Sequence, residues 1–165
     1  SYNDEFIETI FLWSPVHDVG KISIPDHILL KPGNLDEAEW AIMQTHVSSG
    51  IHILEDILQQ FDYPPGAFSE MPINIASYHH EHLDGSGYPF GLTGDRLPLE
   101  SRITAVADVF DALTSRRPYK QIWSLDSAFE EILTLAGIQL DADCVAALVK
   151  NRTRVETIYH EFLDE

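Results

Sequence analysis

Leu99, Ile103, Val106, Phe110 and Leu113 follow one another at intervals of 4, 3, 4 and 3 residues. An α-helix turns once in about 3.6 residues, so this spacing puts five apolar side chains on one stripe and predicts a helix packed along that face. The same period returns in Trp40, Met43, Val47, Ile51 and Leu54, and more briefly in Phe6, Ile7, Ile10 and Phe11. No segment alternates at the two-residue period of a strand, and no internal repeat or low-complexity tract interrupts the pattern. The expected fold class is an all-α helical bundle.

Start and stop signals refine this layout. Asp36 with Glu39 three residues later reads as a capping box that opens the second long helix after the loop Lys31-Pro32-Gly33-Asn34. Residues 62–70 have loop chemistry, Pro72 suits the first turn of a third helix, and that helix runs to His79-His80. The first stripe ends near Gly20, which places His17-Asp18 at a helix end. Two weaker helices are expected over Leu125 to Leu135 and from about Asp143 through Phe162. Between the third helix and Leu99, the stretch Asp84 to Pro98 carries Gly85, Gly87, Pro89, Gly91, Gly94 and Pro98. That is too many breakers for a helix, so an ordered Gly/Pro-rich loop is expected.

Length and charge narrow the functions. A chain of 165 residues suits one compact domain. No apolar run reaches the roughly 20 residues of a membrane span, and Ser1-Tyr2-Asn3-Asp4-Glu5 lacks the basic start of a signal peptide. A cytoplasmic protein without membrane insertion is expected. Cys144 is the single cysteine, which excludes an internal disulfide, and its apolar surroundings point to packing. A net charge of −17 disfavours a surface that tracks DNA or RNA duplexes, because such affinity comes from Lys and Arg displacing counterions. Acidity still permits a small anionic substrate where bound cations reverse the local field.

The residues able to hold such cations are His17-Asp18, His46, His79-His80 and Asp108, all at or inside helices. Imidazoles and carboxylates suit iron, manganese or zinc, and a carboxylate can bridge two ions. One histidine alone is ordinarily half-buried with a ring nitrogen satisfied by a carbonyl. Several beside apolar stripes would bury costly polar groups unless they share a partner, and a metal cluster supplies one. Two adjacent ions stabilise both attacking and leaving oxygens of a phosphodiester, so phosphate-ester hydrolysis is the chemistry expected. His27, His52 and His160 lack motif support and read as surface or packing.

The strings His17-Asp18-Val19-Gly20-Lys21, Ile24-Pro25-Asp26, His79-His80-Glu81, Asp84-Gly85-Ser86-Gly87-Tyr88-Pro89 and Val106-Ala107-Asp108-Val109-Phe110-Asp111-Ala112-Leu113-Thr114 closely resemble the HD-GYP family, in the family's order. The resemblance covers residues 15–120, with residues 121–165 adding a helical fit. It implies an HD-domain helical bundle across residues 1–165. The implied activity is metal-dependent hydrolysis of cyclic di-GMP to pGpG, with GMP as a further product, in bacterial signalling. It implies His17, Asp18, His46, His79, His80 and Asp108 as metal ligands, with Asp18 bridging, for two or three divalent ions, iron or manganese. Asp18 and Lys21 are implied as catalytic, and Lys21, Gly87, Tyr88, Pro89, Asp111, Arg117 and Lys120 as facing the substrate. Physically, Lys21 could neutralise a phosphate and Arg117 offers a fork for phosphate or guanine edges. Gly85 and Gly87 allow backbone conformations closed to other residues, and Glu81 could orient a ligand histidine.

Family members usually carry helices before the His-Asp pair, whereas 16 residues precede His17 here. The chain is therefore expected to be part of a longer signalling protein with an upstream sensor or receiver module, and it is compatible with a homodimer. Gln139 stands where the family often has His. Three other functions fit parts of the pattern. A catalytically inactive dinucleotide-binding module would bind without product, and a general HD phosphohydrolase would take mononucleotides. A metal-carboxylate bundle would repeat Glu-x-x-His, which this sequence does not.

Overall fold

The computed structural model describes residues 3–115 and 123–163. Among these, the helices are α1 (Asp4–Trp13), α2 (Asp26–Leu29), α3 (Glu37–Gln60), α4 (Ala67–Tyr78), α5 (Leu99–Thr114), α6 (Leu125–Leu135), α7 (Ala142–Lys150) and α8 (Arg152–Leu163). Turns of 3₁₀ helix lie at Ser14–Val16, Val19–Ser23 and Gly94–Arg96, and the described residues contain isolated β-bridges but no strand. The all-α expectation holds.

Helix α3 starts where its cap dictates. The Asp36 carboxylate accepts the Glu39 backbone N–H at 2.9 Å, and the Glu39 carboxylate accepts that of Asp36 at 2.8 Å. Two amides that the helix leaves without partners are thereby satisfied. Helix α4 begins five residues earlier than Pro72 suggests. The Ser69 hydroxyl accepts the Gly66 N–H at 3.1 Å, which builds a start at Ala67 and leaves Pro72 inside the helix. Proline's fixed φ is helical, but at this position it removes one backbone N–H from the ladder and crowds the carbonyl four residues back. The expected final helix is two helices. Asn151 donates its side-chain amide to the Ala147 carbonyl at 2.8 Å, ending α7, while its own carbonyl accepts from Arg154 and Val155 and opens α8. A short amide side chain that bonds nearby backbone competes with the helix ladder in this way.

One buried cluster joins α5, α6 and α7 through Val106, Phe110, Leu113, Phe129, Ile132, Leu140 and Val145. Cys144 packs half-buried against it, and burial, then the neighbouring Asp141 carboxylate, pushes its thiol up to about 12. Val106, Phe110 and Leu113 of the expected α5 stripe thus lie in the core, while Leu99 and Ile103 are half-buried outside this cluster. On α3, Val47 and Leu54 are buried, but Trp40 is 45% exposed. On α1 the expected apolar face is mostly outward: Ile7 and Phe11 are exposed, and Thr9 is the buried residue. Amphipathic period alone does not say which stripe finds a partner. No helix among the described residues is long and apolar enough to cross a membrane.

The position of His17-Asp18 depends on a close backbone approach. The Val19–Ser23 turn rests on α3 at two glycines, and a Cβ on Gly20 would lie 1.9 Å from the His46 carbonyl and 2.4 Å from the Gly50 nitrogen. Both obstacles are backbone and cannot rotate away. A Cβ on Gly50 meets nothing nearer than 3.4 Å. Gly20→Ala should therefore destabilise by about 3 kcal/mol or more, as overpacking against backbone does, while Gly50→Ala stays near neutral. Denaturant unfolding of both variants measures this, and an unchanged midpoint for Gly20→Ala would contradict the packing.

Candidate metal centre

The Asp18 carboxylate lies at the junction between the turns Ser14–Val16 and Val19–Ser23, where side chains from three helices meet it. His46 comes from the middle of α3, His79 and His80 from the end of α4, and Asp108 from α5. His17 Nε2 is 3.3 Å from Asp18 Oδ2 and 3.6 Å from Asp108 Oδ1. His46 Nε2 and His79 Nε2 stand 3.5 and 3.7 Å from Asp18 Oδ1. Asp18, His46, His79 and His80 each offer a ligand atom within 4.8 Å of the others, and so do His17, Asp18 and Asp108. Asp18 belongs to both groups.

Local backbone chemistry aims these rings. Nδ1–H of His17 donates to the Ser14 carbonyl at 2.7 Å, that of His46 to Met43 at 2.6 Å, and that of His79 to Ile75 at 3.0 Å and Ala76 at 3.1 Å. A carbonyl partner at Nδ1 fixes the tautomer and leaves the Nε2 lone pair free to ligate. His46 and His79 are buried, yet their Nε2 atoms and Asp18 Oδ1 have no hydrogen-bond partner. Buried polar atoms are ordinarily paired, so three converging orphans fit a cation between them.

The electrostatics agree. Burial alone would lower the His17 imidazolium, but its bonds to Asp108 and Asp18 outweigh that and lift it to about 10. Burial would likewise raise the Asp18 carboxyl, but His17, His79 and the Lys21 ammonium around it hold it well below the usual carboxylate range. Burial, then His79, drops His80 to about 3, and burial also lowers His46. Without metal, the cluster holds a proton on His17 between two carboxylates, while His46 and His80 are held toward the neutral form. Neutral imidazole and ionised carboxylate are the forms a divalent ion requires.

The substrate-side expectations divide. Lys21 is half-buried with Nζ 2.5 Å from Asp18 Oδ2, at the centre itself. Tyr88 stacks on His80 at 4.7 Å between ring centroids, and burial, then Asp18 and Asp108, raises its phenol, keeping it a protonated donor. Asp111 is exposed one turn beyond Asp108 and accepts the Ser115 hydroxyl at 2.8 Å. It lines a groove between α5 and α8, outside the two ligand groups. Arg117 and Lys120 lie outside the described residues. His27, His52 and His160 are exposed, in keeping with their lack of motif.

The Gly/Pro-rich loop is ordered by Glu81, which the sequence suggests as an orienter of a ligand histidine. Glu81 is 2% exposed, and its carboxylate accepts the backbone N–H of Phe90 at 2.6 Å and of Leu92 at 2.8 Å rather than a candidate ligand histidine's N–H. The clamp closes the loop just beyond Tyr88 and Pro89, which are joined by a cis peptide. Gly85 needs its glycine for a φ of +80°, but Gly87 needs it for space: a Cβ there would lie 2.4 Å from the His82 nitrogen and 2.5 Å from the His80 carbonyl. The Gln139 carbonyl accepts the Leu83 N–H at 3.0 Å, a backbone bond that any residue there can make. Trp40, absent from every motif, meets the Tyr88 ring edge to face at 5.7 Å.

Comparison with known proteins matches these features. The HD domain family model matches residues 3–144. The chain is 45% identical over 160 residues to the cyclic di-GMP phosphodiesterase response regulator RpfG of Xanthomonas campestris pv. campestris, covering 97% of this chain and 40% of that protein. It is 46% identical over 138 residues to the 3′3′-cGAMP-specific phosphodiesterase 2 of Vibrio cholerae, covering 84% and 25%. The cyclic di-GMP phosphodiesterase of Thermotoga maritima is 41% identical over 163 residues, 99% of this chain and 42% of that one. The chain thus spans well under half the length of these relatives. A crystal structure of the cyclic GMP-AMP phosphodiesterase V-cGAP3 of V. cholerae superposes with a TM-score of 0.63 at 18% identity, over 99% of this chain and 44% of that one, and shares the fold. The chain belongs to the HD domain family, in its HD-GYP branch. With the His/Asp groups above, that membership makes it a divalent-metal-binding domain.

The raised pKa of His17 makes the stability of the metal-free protein depend on pH. A group whose folded pKa lies above its unfolded value contributes its stability in full below that unfolded value, near 6.5, and loses it as pH climbs to about 10. With divalent ions chelated, the denaturant midpoint is expected to fall across pH 6.5 to 10, and His17→Gln to flatten that fall. A midpoint equally pH-independent in both proteins would contradict the assigned cluster.

Proposed function

We propose that this domain hydrolyses a phosphodiester bond of a cyclic dinucleotide, cyclic di-GMP first, in a metal-dependent reaction that yields linear pGpG and then GMP. The observation that carries the reading is the convergence of three carbonyl-anchored histidines and Asp108 on the Asp18 carboxylate, with Asp18 Oδ1 and two of the Nε2 atoms unpaired. His17, Asp18, His46, His79, His80 and Asp108 would hold two divalent ions, iron or manganese, with Asp18 shared. Bound divalent cations supply Lewis-acid polarisation of the phosphate and neutralise charge on the oxygens that gain it.

The chain's own residues then bind and orient. The Lys21 ammonium, beside Asp18, provides a positive charge for a phosphate oxygen in a chain of net charge −17. Tyr88, kept protonated, offers its hydroxyl as a donor from the ring stacked on His80. The Glu81 clamp holds the loop that carries Gly87, Tyr88 and Pro89 in place. Asp111 on the α5 rim, with Arg117 and Lys120, belongs to the same substrate assignment. The names of the relatives support the substrate class and include both cyclic di-GMP and 3′3′-cGAMP. A cytoplasmic location, an upstream sensor or receiver module and a homodimer complete the proposal; the greater length of the relatives, one of them named a response regulator, supports the module.

Metal-loaded protein is expected to convert cyclic di-GMP with multiple turnovers and to lose activity to chelator. Asp18→Ala or His80→Ala should lower kcat by on the order of 10²–10³-fold or more, the scale of one lost electrostatic stabiliser. Parallel chromatographic assays with 3′3′-cGAMP and GMP rank the substrates. Folded, metal-loaded protein that binds cyclic di-GMP without product would contradict hydrolysis and support the binding-module function. Preferential turnover of mononucleotides would support the general phosphohydrolase.

A further inference from the structure

We propose that Trp40 is a specificity-determining residue that stacks on a purine base of the substrate while the phosphodiester sits at the Asp18 centre. The inference rests on the cyclic-dinucleotide reading above. Trp40 shares a stripe of α3 with Val47 and Leu54, which are 1% and 2% exposed, yet its own residue is 45% exposed. A large indole left in water forgoes the burial that its neighbours achieve, and Trp is a side chain whose face readily takes an aromatic partner.

Its surroundings say which partner. The Trp40 ring meets Tyr88 at 5.7 Å and 77°, and Tyr88 lies on the ligand-group histidine His80 at 4.7 Å and 25°. His46 closes the same corner, 6.5 Å from Tyr88 and 5.2 Å from His80. A ladder of rings therefore leads from the centre outward to the exposed indole. An edge-to-face pair sets one ring's face against the other's edge, so a flat heterocycle entering the corner can stack on one and abut the other. Every nucleobase has such a π-face, and the phosphate bound at the centre tethers a base near it. The Glu81 clamp and the close backbone approach at Gly87 fix the loop that carries Tyr88, so the corner is preformed rather than assembled by the ligand.

Wild type, Trp40→Phe and Trp40→Ala, each loaded with metal, would be compared for KM and kcat on cyclic di-GMP. Calorimetry would give Kd for GMP and for inorganic phosphate. Trp40→Ala is expected to raise KM and the GMP Kd about 10-fold or more, the effect of one lost base stack. Metal content and the phosphate Kd should hold, kcat should change far less than KM, and Trp40→Phe should recover most of the loss. Unchanged KM and GMP Kd in Trp40→Ala would overturn the inference, as would an equal loss for GMP and phosphate, which marks a structural role. Wild type that binds GMP more tightly than phosphate but does not turn over cyclic di-GMP would sink the proposed activity and leave Trp40 measurable. Wild type that binds the two equally would sink the stacking role directly.

Discussion

The Asp18 carboxylate is the point on which the structure converges. It is partly buried, ionised, and faced by imidazole nitrogens from three separate segments. A buried anion is costly without compensation, and several kcal/mol are at stake for an unpaired one. Here a proton on His17 and the Lys21 ammonium compensate it when no metal is bound, and Asp18 Oδ1 still lacks a hydrogen-bond partner. Much of the nearby architecture serves to hold this arrangement: the Gly20–Gly50 approach seats the turn on α3, and the carbonyls of Ser14, Met43, Ile75 and Ala76 aim the rings.

The second element is the loop. Its breakers give it freedom, and Glu81 removes that freedom again by accepting two of its amides from a buried position. A carboxylate accepting backbone N–H groups makes short, charge-assisted bonds, which suits an ordered loop. The centre and the loop are covalently continuous through His79, His80 and Glu81, so the end of α4 sets both.

The sequence made the scaffold and the ligand groups readable because both leave periodic or clustered traces. The α5 helix with Val106, Phe110 and Leu113 of its stripe in the core, the Asp36–Glu39 box and the end of α4 at His79 are observed as expected. What escaped was set by local hydrogen bonds or by tertiary choice. Ser69 and Asn151 moved helix ends through side-chain bonds that many other Ser and Asn residues do not make. Ile7 and Phe11 match a helical stripe yet stay exposed, because period reveals a face and not its partner. Glu81 looked like a ligand's neighbour from its position, whereas its direction depends on a loop whose path no pattern specifies. The Gln139 contact uses a carbonyl, to which side-chain identity is blind.

The measurement that bears most directly on the Asp18 centre is elemental analysis of divalent metal per chain in wild type and Asp18→Asn, with circular dichroism to confirm the fold. Asn keeps the shape and removes the charge shared by both groups. The expected result is about two ions per chain in wild type, as two-ion phosphodiester chemistry requires, and a collapse of that content in folded Asp18→Asn. Wild type free of metal, or a variant that retains its full complement, would contradict the account.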